Sequence, residues 1–283
     1  MIIGHQRILE FLKESIKNKK LAHAYLFAGP AHLGKKRVAL EFIKMLNGRE
    51  VIEPEAADQI GINQVRKIQH QIGLSLYRGN YKIALIDEAD RMTPEASNCL
   101  LKTLEEPPGR AILILITSKS QMLLPTIVSR CQIIKFLPVK EEEIKKKVSS
   151  LKIVRLANGR PGLAIQYLEN PTLLENQNKI ISQLEKLIRA GLNERYQYIE
   201  GMIKDIAQAR QILNAWKFWF RDLLLLSVGC GDLVIYPEAN RYKDCYSLVK
   251  LKAIIQAIRK TDLLLANPSI NARLALEVLM LEL

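Results

Sequence analysis

The sequence predicts an α/β domain with a parallel sheet, followed by a small helical domain and a larger all-α domain. Over about the first 135 residues, short apolar stretches that suit buried strands alternate with helical patterns. Beyond Pro138 the strand patterns stop, and a Gly-Arg-Pro-Gly segment and an Asn-Pro pair interrupt the helical ones. The predicted domains are residues 1–137, 138–170 and 171–283.

The elements of the α/β domain follow from the spacing of its apolar residues. Apolar residues with helical spacing come first, at Ile8, Leu9, Leu12 and Ile16. The strand candidates are short apolar runs at 24–28, 82–86, 111–117 and 132–136. Helical patterns separate these runs, notably over 94–104. Continuous apolar strands alternating with helices are typical of a parallel sheet that is covered on both faces.

The charge of the chain suggests a polyanionic partner. Its 283 residues include 42 Lys and Arg against 29 Asp and Glu, a formal net charge of +13. An excess of this size favours nucleic acid as the neighbour, with general solubility as the alternative explanation. The basic residues are scattered, so charge alone does not define a DNA-binding face.

Membrane insertion and zinc binding are not expected. No apolar run approaches the roughly 20 residues that span a bilayer, and residues 1–20 mix charges throughout, unlike a signal peptide. We expect a cytoplasmic protein with no membrane partner. The cysteines form no CxxC pair, so we expect no zinc and reduced, mostly buried thiols. They are Cys99, Cys131, Cys230 and Cys245.

A phosphate-binding loop is predicted between the first strand and the next helix. Residues 29–35 match GxxxxGK, with Gly29, Gly34 and Lys35 at the defining positions. In such a loop the backbone N–H groups and the helix N-terminus hold phosphate oxygens, and the lysine neutralises them.

Two residues depart from a working loop. Lys36 stands where a Ser or Thr hydroxyl would bind Mg²⁺, and an ammonium cannot ligate a metal. His32 occupies a position that is often glycine, and a positive φ there would strain it. Binding of Mg-ATP therefore stays open as a weak possibility. The alternative, which these departures favour, is a vestigial loop that only joins strand to helix.

An acidic pair ends the second predicted strand. Asp87 and Glu88 follow the apolar run Ile83–Ile86, which is the Walker B position of a P-loop fold. There the Asp orients the metal's waters and the Glu polarises the attacking water. The alternative is a surface turn that opens the next helix. The tetrapeptide Asp87–Asp90 also spells the DEAD-box signature, but the other helicase motifs are missing.

Longer motifs carry a family resemblance. Leu-Leu-Lys-Thr-Leu-Glu-Glu-Pro-Pro follows the acidic pair, and a Ser-Arg-Cys motif comes next. The approach to the loop and the C-terminal segment also match, so the chain resembles the clamp-loader branch of AAA+ ATPases. The resemblance implies a P-loop AAA+ domain, a small helical lid and an all-α collar. The matching segments are 21–27, 98–108, 124–131 and 271–277.

The resemblance also implies roles for three residues. Arg130, in the Ser-Arg-Cys motif, would act as an arginine finger in the ATP site of a neighbouring subunit, with a surface ion pair as the alternative. Thr117, at a strand end, occupies the sensor-1 position, or it is simply a strand cap. Arg160 corresponds to the sensor-2 region of the lid, where it would contact phosphate or only link two domains.

A degraded site combined with a retained finger resembles the delta-prime type of DNA polymerase III clamp-loader subunit. The resemblance implies a stator in a hetero-oligomer with tau/gamma and delta subunits, which loads a sliding clamp on primed DNA. The four-cysteine zinc module usual in the bacterial family is missing, because residues 47–62 contain no cysteine. A working tau/gamma-type ATPase and a stand-alone DNA-processing motor remain the alternatives.

An aromatic cluster in the last third of the chain has two interpretations. Aromatic side chains beside basic ones can stack on single-stranded bases. The cluster lies in a strongly apolar stretch that continues through Leu226, however, which favours packing inside the helical collar. Its members are Trp216, Phe218, Trp219 and Phe220.

Overall fold

A computed structural model describes residues 2–47, 51–74, 81–267 and 269–283. The chain forms two compact units, Met1–Gln166 and Tyr167–Leu283. Most of the segment expected to form a separate lid is counted with the first unit, and the three-part division stays a prediction.

The first unit contains a parallel sheet. In the described part of the chain it has five strands: β1 Ala24–Ala28, β2 Val51–Ile52, β3 Lys82–Ile86, β4 Ala111–Thr117 and β5 Gln132–Lys135. Four of them confirm the strand candidates, the last ending one residue earlier than expected, whereas the two-residue β2 has too short a pattern to be predicted. Their order across the sheet is β2-β3-β4-β1-β5.

Helices connect the strands and confirm the alternating pattern. The helix expected over 94–104 is observed, with the Thr93 hydroxyl accepting from the Ala96 N–H and Pro94 opening the first turn. The helices are α1 Gln6–Lys17, α2 Lys35–Met45, α3 Ile62–Gly73, α4 Pro94–Glu105, α5 Pro125–Arg130, α6 Glu141–Lys145, α7 Leu151–Ala157 and α8 Pro161–Glu169, which runs across the boundary between the units.

Both faces of the sheet are buried, which explains the continuous apolar strands. Along β1, Leu26 points into a cluster that includes side chains of α3, α4 and α5. Tyr25 and Phe27 point to the other face, where they join side chains of α1 and α2. All five residues of β1 are buried.

The second unit is helical. Its helix α11 (Ile206–Ser227) carries the aromatic cluster, which is buried and therefore confirms the prediction of packing. Asp222 of α11 is fully buried and accepts hydrogen bonds from the backbone N–H groups of Ile235 and Tyr236 at 2.6 and 2.8 Å. The helices are α9 Pro171–Arg189, α10 Leu192–Ile203, α11 Ile206–Ser227, α12 Leu248–Leu265 and α13 Ala272–Glu282, with 3₁₀ turns at Gly231–Leu233 and Pro237–Cys245.

The expectation of mostly buried cysteines was wrong. Cys230 and Cys245 are exposed, and Cys99 and Cys131 are only partly buried, although all four thiols are free. Cys230 lies shortly after a long helix, and Cys245 ends a 3₁₀ turn. The sequence pattern around neither position predicts that it is exposed. None of the described helices combines the length and apolar character that a membrane crossing requires.

We expect Leu26→Ala to lower the free energy of unfolding by about 2–5 kcal/mol, because it opens a cavity in the buried cluster beside the interior strand β1. Leu137→Ala is the matched control, since Leu137 is 70% exposed and its truncation should cost under about 0.5 kcal/mol. Urea unfolding followed by circular dichroism measures both. Equal effects would contradict the described core.

Candidate nucleotide site

The candidate site lies at the carboxyl ends of adjacent parallel strands. The loop leaves β1 at Gly29, Asp87 follows β3 and Thr117 ends β4, and these strands are neighbours in the sheet. The Gly29 N–H donates to the Thr117 carbonyl at 3.3 Å, which ties the start of the loop to β4. Ligands of open α/β sheets bind in crevices at this edge.

The loop has the left-handed backbone that its glycines permit. Gly29 has φ +152° and Gly34, which precedes α2, has φ +86°. A Cβ at Gly29 would lie 2.3 Å from the backbone oxygen of Phe136, so only glycine fits there. His32 has φ +63°, which confirms the expected strain at a non-glycine position.

Lys35 is held inside its own loop. Its ammonium donates to the carbonyl oxygens of Gly29 and Pro30 at 2.6 and 2.7 Å, and the residue is only 7% exposed. Burial lowers the pKa of Lys35, while the nearby charges of Asp87 and Asp90 partly oppose that shift. The Lys35 ammonium is therefore held against the backbone of its own loop.

Lys36 pairs with carboxylates of two neighbouring strand ends. Its Nζ lies 2.9 Å from Glu53 Oε2, just beyond β2, and 3.8 Å from Asp87 Oδ2. The hydrogen bond to Glu53 is the largest cause that raises the pKa of Lys36. The ammonium thus remains charged beside the Walker B aspartate.

The magnesium ion that the fold class implies does not fit these residues. A hard cation needs several oxygen ligands, and the P-loop hydroxyl that would supply one is replaced by the Lys36 side chain. The positive charge near Asp87 comes from the protein itself. Among the described residues, no group of three or more His, Cys, Asp or Glu side chains could hold a metal ion.

Glu88 and Thr117, the expected Walker B glutamate and sensor-1 residue, each bind a nearby side chain. Glu88 has φ +51°, and its carboxylate pairs with Arg91 at 2.9 Å. The Thr117 hydroxyl donates to Asp90 at 2.6 Å and accepts from the Lys119 N–H at 2.9 Å. Thr117 therefore ends β4 as expected, and its hydroxyl is directed to Asp90.

Contacts from two other segments hold the loop backbone. The Gly162 N–H, at the start of α8, donates to the His32 carbonyl at 2.8 Å, and the His5 ring is 2.9 Å from the Leu33 carbonyl. Burial is the main cause that lowers the pKa of His32, with the charges of Arg160 and Lys35 adding to it. Arg160, the expected sensor-2 residue, is thus close enough to influence the loop.

Arg130 is the last residue of α5 and belongs to a different cluster. Its guanidinium donates to Glu105 Oε1 at 2.8 Å and to the Thr126 carbonyl at 3.1 Å. Within the described residues it makes no hydrogen bond or ion pair with the loop. The ion pair that was the alternative to the finger is present, and the role of Arg130 stays a prediction.

The structure adds residues that the sequence motifs did not identify. Lys36 pairs with Glu53, and Thr117 hydrogen-bonds to Asp90. The loop is bonded by Gly162, and Arg130 pairs with Glu105. Asp90 lies in the acidic tetrapeptide and Glu105 in the motif that ends in Pro-Pro, so the sequence motifs could have pointed to both residues. Glu53 follows a strand too short to recognise, and its contact depends on the fold alone.

The sheet and the loop define a P-loop protein of the AAA+ class. A family profile described as "DNA polymerase III, delta subunit" matches residues 4–58 and 49–140. The chain is 31% identical to the DNA polymerase III subunit tau of Bacillus subtilis, over 81% of this chain and 50% of that protein. It is 27% identical to the delta' subunit of the same organism, over 82% of this chain and 80% of that protein. The chain belongs to the clamp-loader family of DNA polymerase III subunits.

The extent of these matches differs between relatives. The chain spans about half the length of the tau subunit but most of the length of the delta' subunit. A solved structure of a gamma subunit-related protein from Thermotoga maritima aligns over 96% of this chain and 97% of its own, with 20% identity and a TM-score of 0.47.

We expect Gly29→Ala to lower the free energy of unfolding by about 3 kcal/mol, because the added methyl meets the Phe136 carbonyl and the backbone is strained. Gly34→Ala has open space and only the positive φ, so about 1–2 kcal/mol is expected. Urea unfolding measures both. A Gly29 variant no less stable than the Gly34 variant would contradict the close approach.

Proposed function

We propose that this chain is a delta-prime-like stator of the DNA polymerase III clamp loader. It assembles in the cytoplasm with tau/gamma and delta subunits and supplies Arg130 to the ATP site of the neighbouring subunit. The assembled ring then loads a sliding clamp on primed DNA. The chain itself contributes no independent ATP hydrolysis.

The observation that carries this proposal is the ammonium of Lys36 beside Asp87. Phosphoryl transfer in P-loop proteins depends on a metal ion that bridges the phosphates and neutralises developing charge. Here a protein cation lies 3.8 Å from the Walker B carboxylate, and Glu88, which would polarise water, pairs with Arg91. These contacts favour a subunit that does not hydrolyse ATP at its own loop.

The surroundings of Arg130 support a role in a neighbouring subunit. Its side chain is 37% exposed, and the described contacts use only two of the five guanidinium N–H groups. The remaining donors suit phosphate oxygens, which a planar guanidinium can bind in a bidentate manner. The bonds to Glu105 and to the Thr126 carbonyl would hold the side chain in one orientation before a partner arrives.

Exposed apolar side chains of the second unit support assembly. Leu274, Val278 and Leu281 lie at helical spacing along one face of α13, and each is more than half exposed. Val249 and Leu263 of α12 are also more than half exposed. A stripe of exposed apolar side chains along one helix face, as on α13, is typical of protein–protein contact sites.

The family comparisons keep one alternative in view. Identity to the tau subunit is slightly higher than identity to the delta' subunit, which favours an ATP-hydrolysing tau/gamma type. Magnesium-dependent turnover by the isolated chain would support that alternative. A stand-alone DNA-processing motor would instead show DNA-stimulated hydrolysis without partner subunits.

We expect Arg130→Ala to abolish the ATPase contribution of the adjacent site in a complex reconstituted with tau/gamma and delta subunits. Loss of an arginine finger lowers turnover at its site by about 10³-fold or more, because the charge of the transferring phosphoryl group is no longer countered. The measurement is DNA-stimulated ATP hydrolysis by the complex, together with that of the isolated chain.

Arg110→Ala is the matched control, since Arg110 is an exposed arginine of the same unit. Arg130→Lys should recover little activity, because an ammonium lacks the planar pair of donors. Full activity of the Arg130→Ala complex, with normal assembly by gel filtration, would exclude the finger role.

We expect Val278→Lys to prevent assembly while the isolated chain stays folded. The new charge would be buried without a partner in an interface that includes the exposed face of α13. Analytical ultracentrifugation with the partner subunits measures assembly, and Lys204→Ala serves as a surface control. Normal assembly of the Val278 variant would show that this face lies outside the interface.

A further inference from the structure

We infer that Lys36 is the residue that excludes divalent metal from this P-loop, and that Glu53 positions its ammonium for that purpose. The inference deepens the proposed function and rests on it, because it explains why the subunit's own site is inactive. It also implies that one substitution, Lys36→Thr, converts the site into one that binds a divalent cation.

The position of Lys36 in the fold makes it a competitor for the metal. It is the second residue of α2, directly after the lysine of the loop, where a shorter hydroxyl side chain would face the cation. Its side chain turns to the carboxyl end of β3 and brings Nζ to 3.8 Å from Asp87 Oδ2. The ammonium therefore lies next to the carboxylate that would otherwise orient the metal's waters.

Glu53 reaches this place because of the edge strand. β2 pairs in parallel with β3, Val51 opposite Ile83 and Ile52 opposite Ala84. The residue that follows β2 therefore comes to the same edge of the sheet as Asp87. Its carboxylate binds the Lys36 ammonium at 2.9 Å, the closer of the two contacts.

The charges explain why the lysine prevails over a metal ion. The carboxylates of Glu53 and Asp87 repel each other. The Lys36 ammonium between them already neutralises this repulsion, so no free cation is required there. A divalent ion would have to displace that ammonium and would still lack the hydroxyl ligand. The Lys36–Glu53 ion pair is partly exposed and contributes little to the stability of the fold. Its main effect is on which ions can bind beside Asp87.

The same arrangement predicts what Lys36→Thr would create. A threonine restores a hydroxyl at the second position of α2 and leaves Glu53 and Asp87 without the ammonium between them. Hydroxyl, carboxylate and phosphate oxygens are the ligands that Mg²⁺ and Mn²⁺ prefer. Lys36→Arg keeps a cation and should keep the metal out.

The test uses Mn²⁺ with ADP as the probe and the enhancement of water-proton relaxation as the readout. We expect no enhancement with the unaltered chain or with Lys36→Arg, beyond that of Mn-ADP in buffer. Lys36→Thr should bind one Mn²⁺ per chain, and adding Glu53→Gln should weaken that binding by about tenfold or more.

Two outcomes would overturn the inference: stoichiometric Mn²⁺ binding by the unaltered chain, or none by Lys36→Thr when its circular dichroism is unchanged. If Lys36→Thr fails to fold, the thermal unfolding midpoint of the unaltered chain tests whether it binds a divalent metal. An increase of several degrees with MgCl₂ and ADP, relative to EDTA and ADP, would contradict metal exclusion. These measurements are independent of the Arg130 assay, so failure of the stator proposal would be seen separately.

Discussion

The enclosure of β1 is the constraint on which the first unit depends. This strand lies between β4 and β5, with helices over both faces, and all five of its residues are buried. Because β5 lies alongside it, the Phe136 carbonyl comes so close to Gly29 that the loop must leave the strand through a glycine. The packing of one strand thus sets the place and the backbone shape of the phosphate loop.

Lys35 and Lys36 are adjacent in sequence, but their ammonium groups lie in different surroundings. Lys35 turns into the loop, where burial lowers its pKa and two backbone carbonyls accept its hydrogen bonds. Lys36 turns towards solvent and a carboxylate, and its pKa is raised. Lys35 is held against the loop backbone, whereas the ammonium of Lys36 lies 3.8 Å from Asp87 Oδ2, where we infer that it excludes a metal ion.

The ion pair between Arg130 and Glu105 depends on helix packing. Glu105 and Arg130 each end a helix, and the packing of α4 against α5 brings their side chains together. An exposed pair of this kind is weak in water, so in the complex we propose a phosphate of the neighbouring subunit would compete for the guanidinium. The contact with Glu105 orients the arginine but holds it only weakly.

The amino-acid sequence by itself determined the strands, the loop and the family, because these depend on local runs of residues. Apolar runs predicted four strands, and motifs that extend over most of the chain identified the clamp-loader family. Only the tertiary structure decided that Glu53 pairs with Lys36, that Asp90 accepts a hydrogen bond from the Thr117 hydroxyl, and that two cysteines are exposed. Those contacts join residues far apart along the chain, and strand order and helix packing bring them together where no local pattern records it.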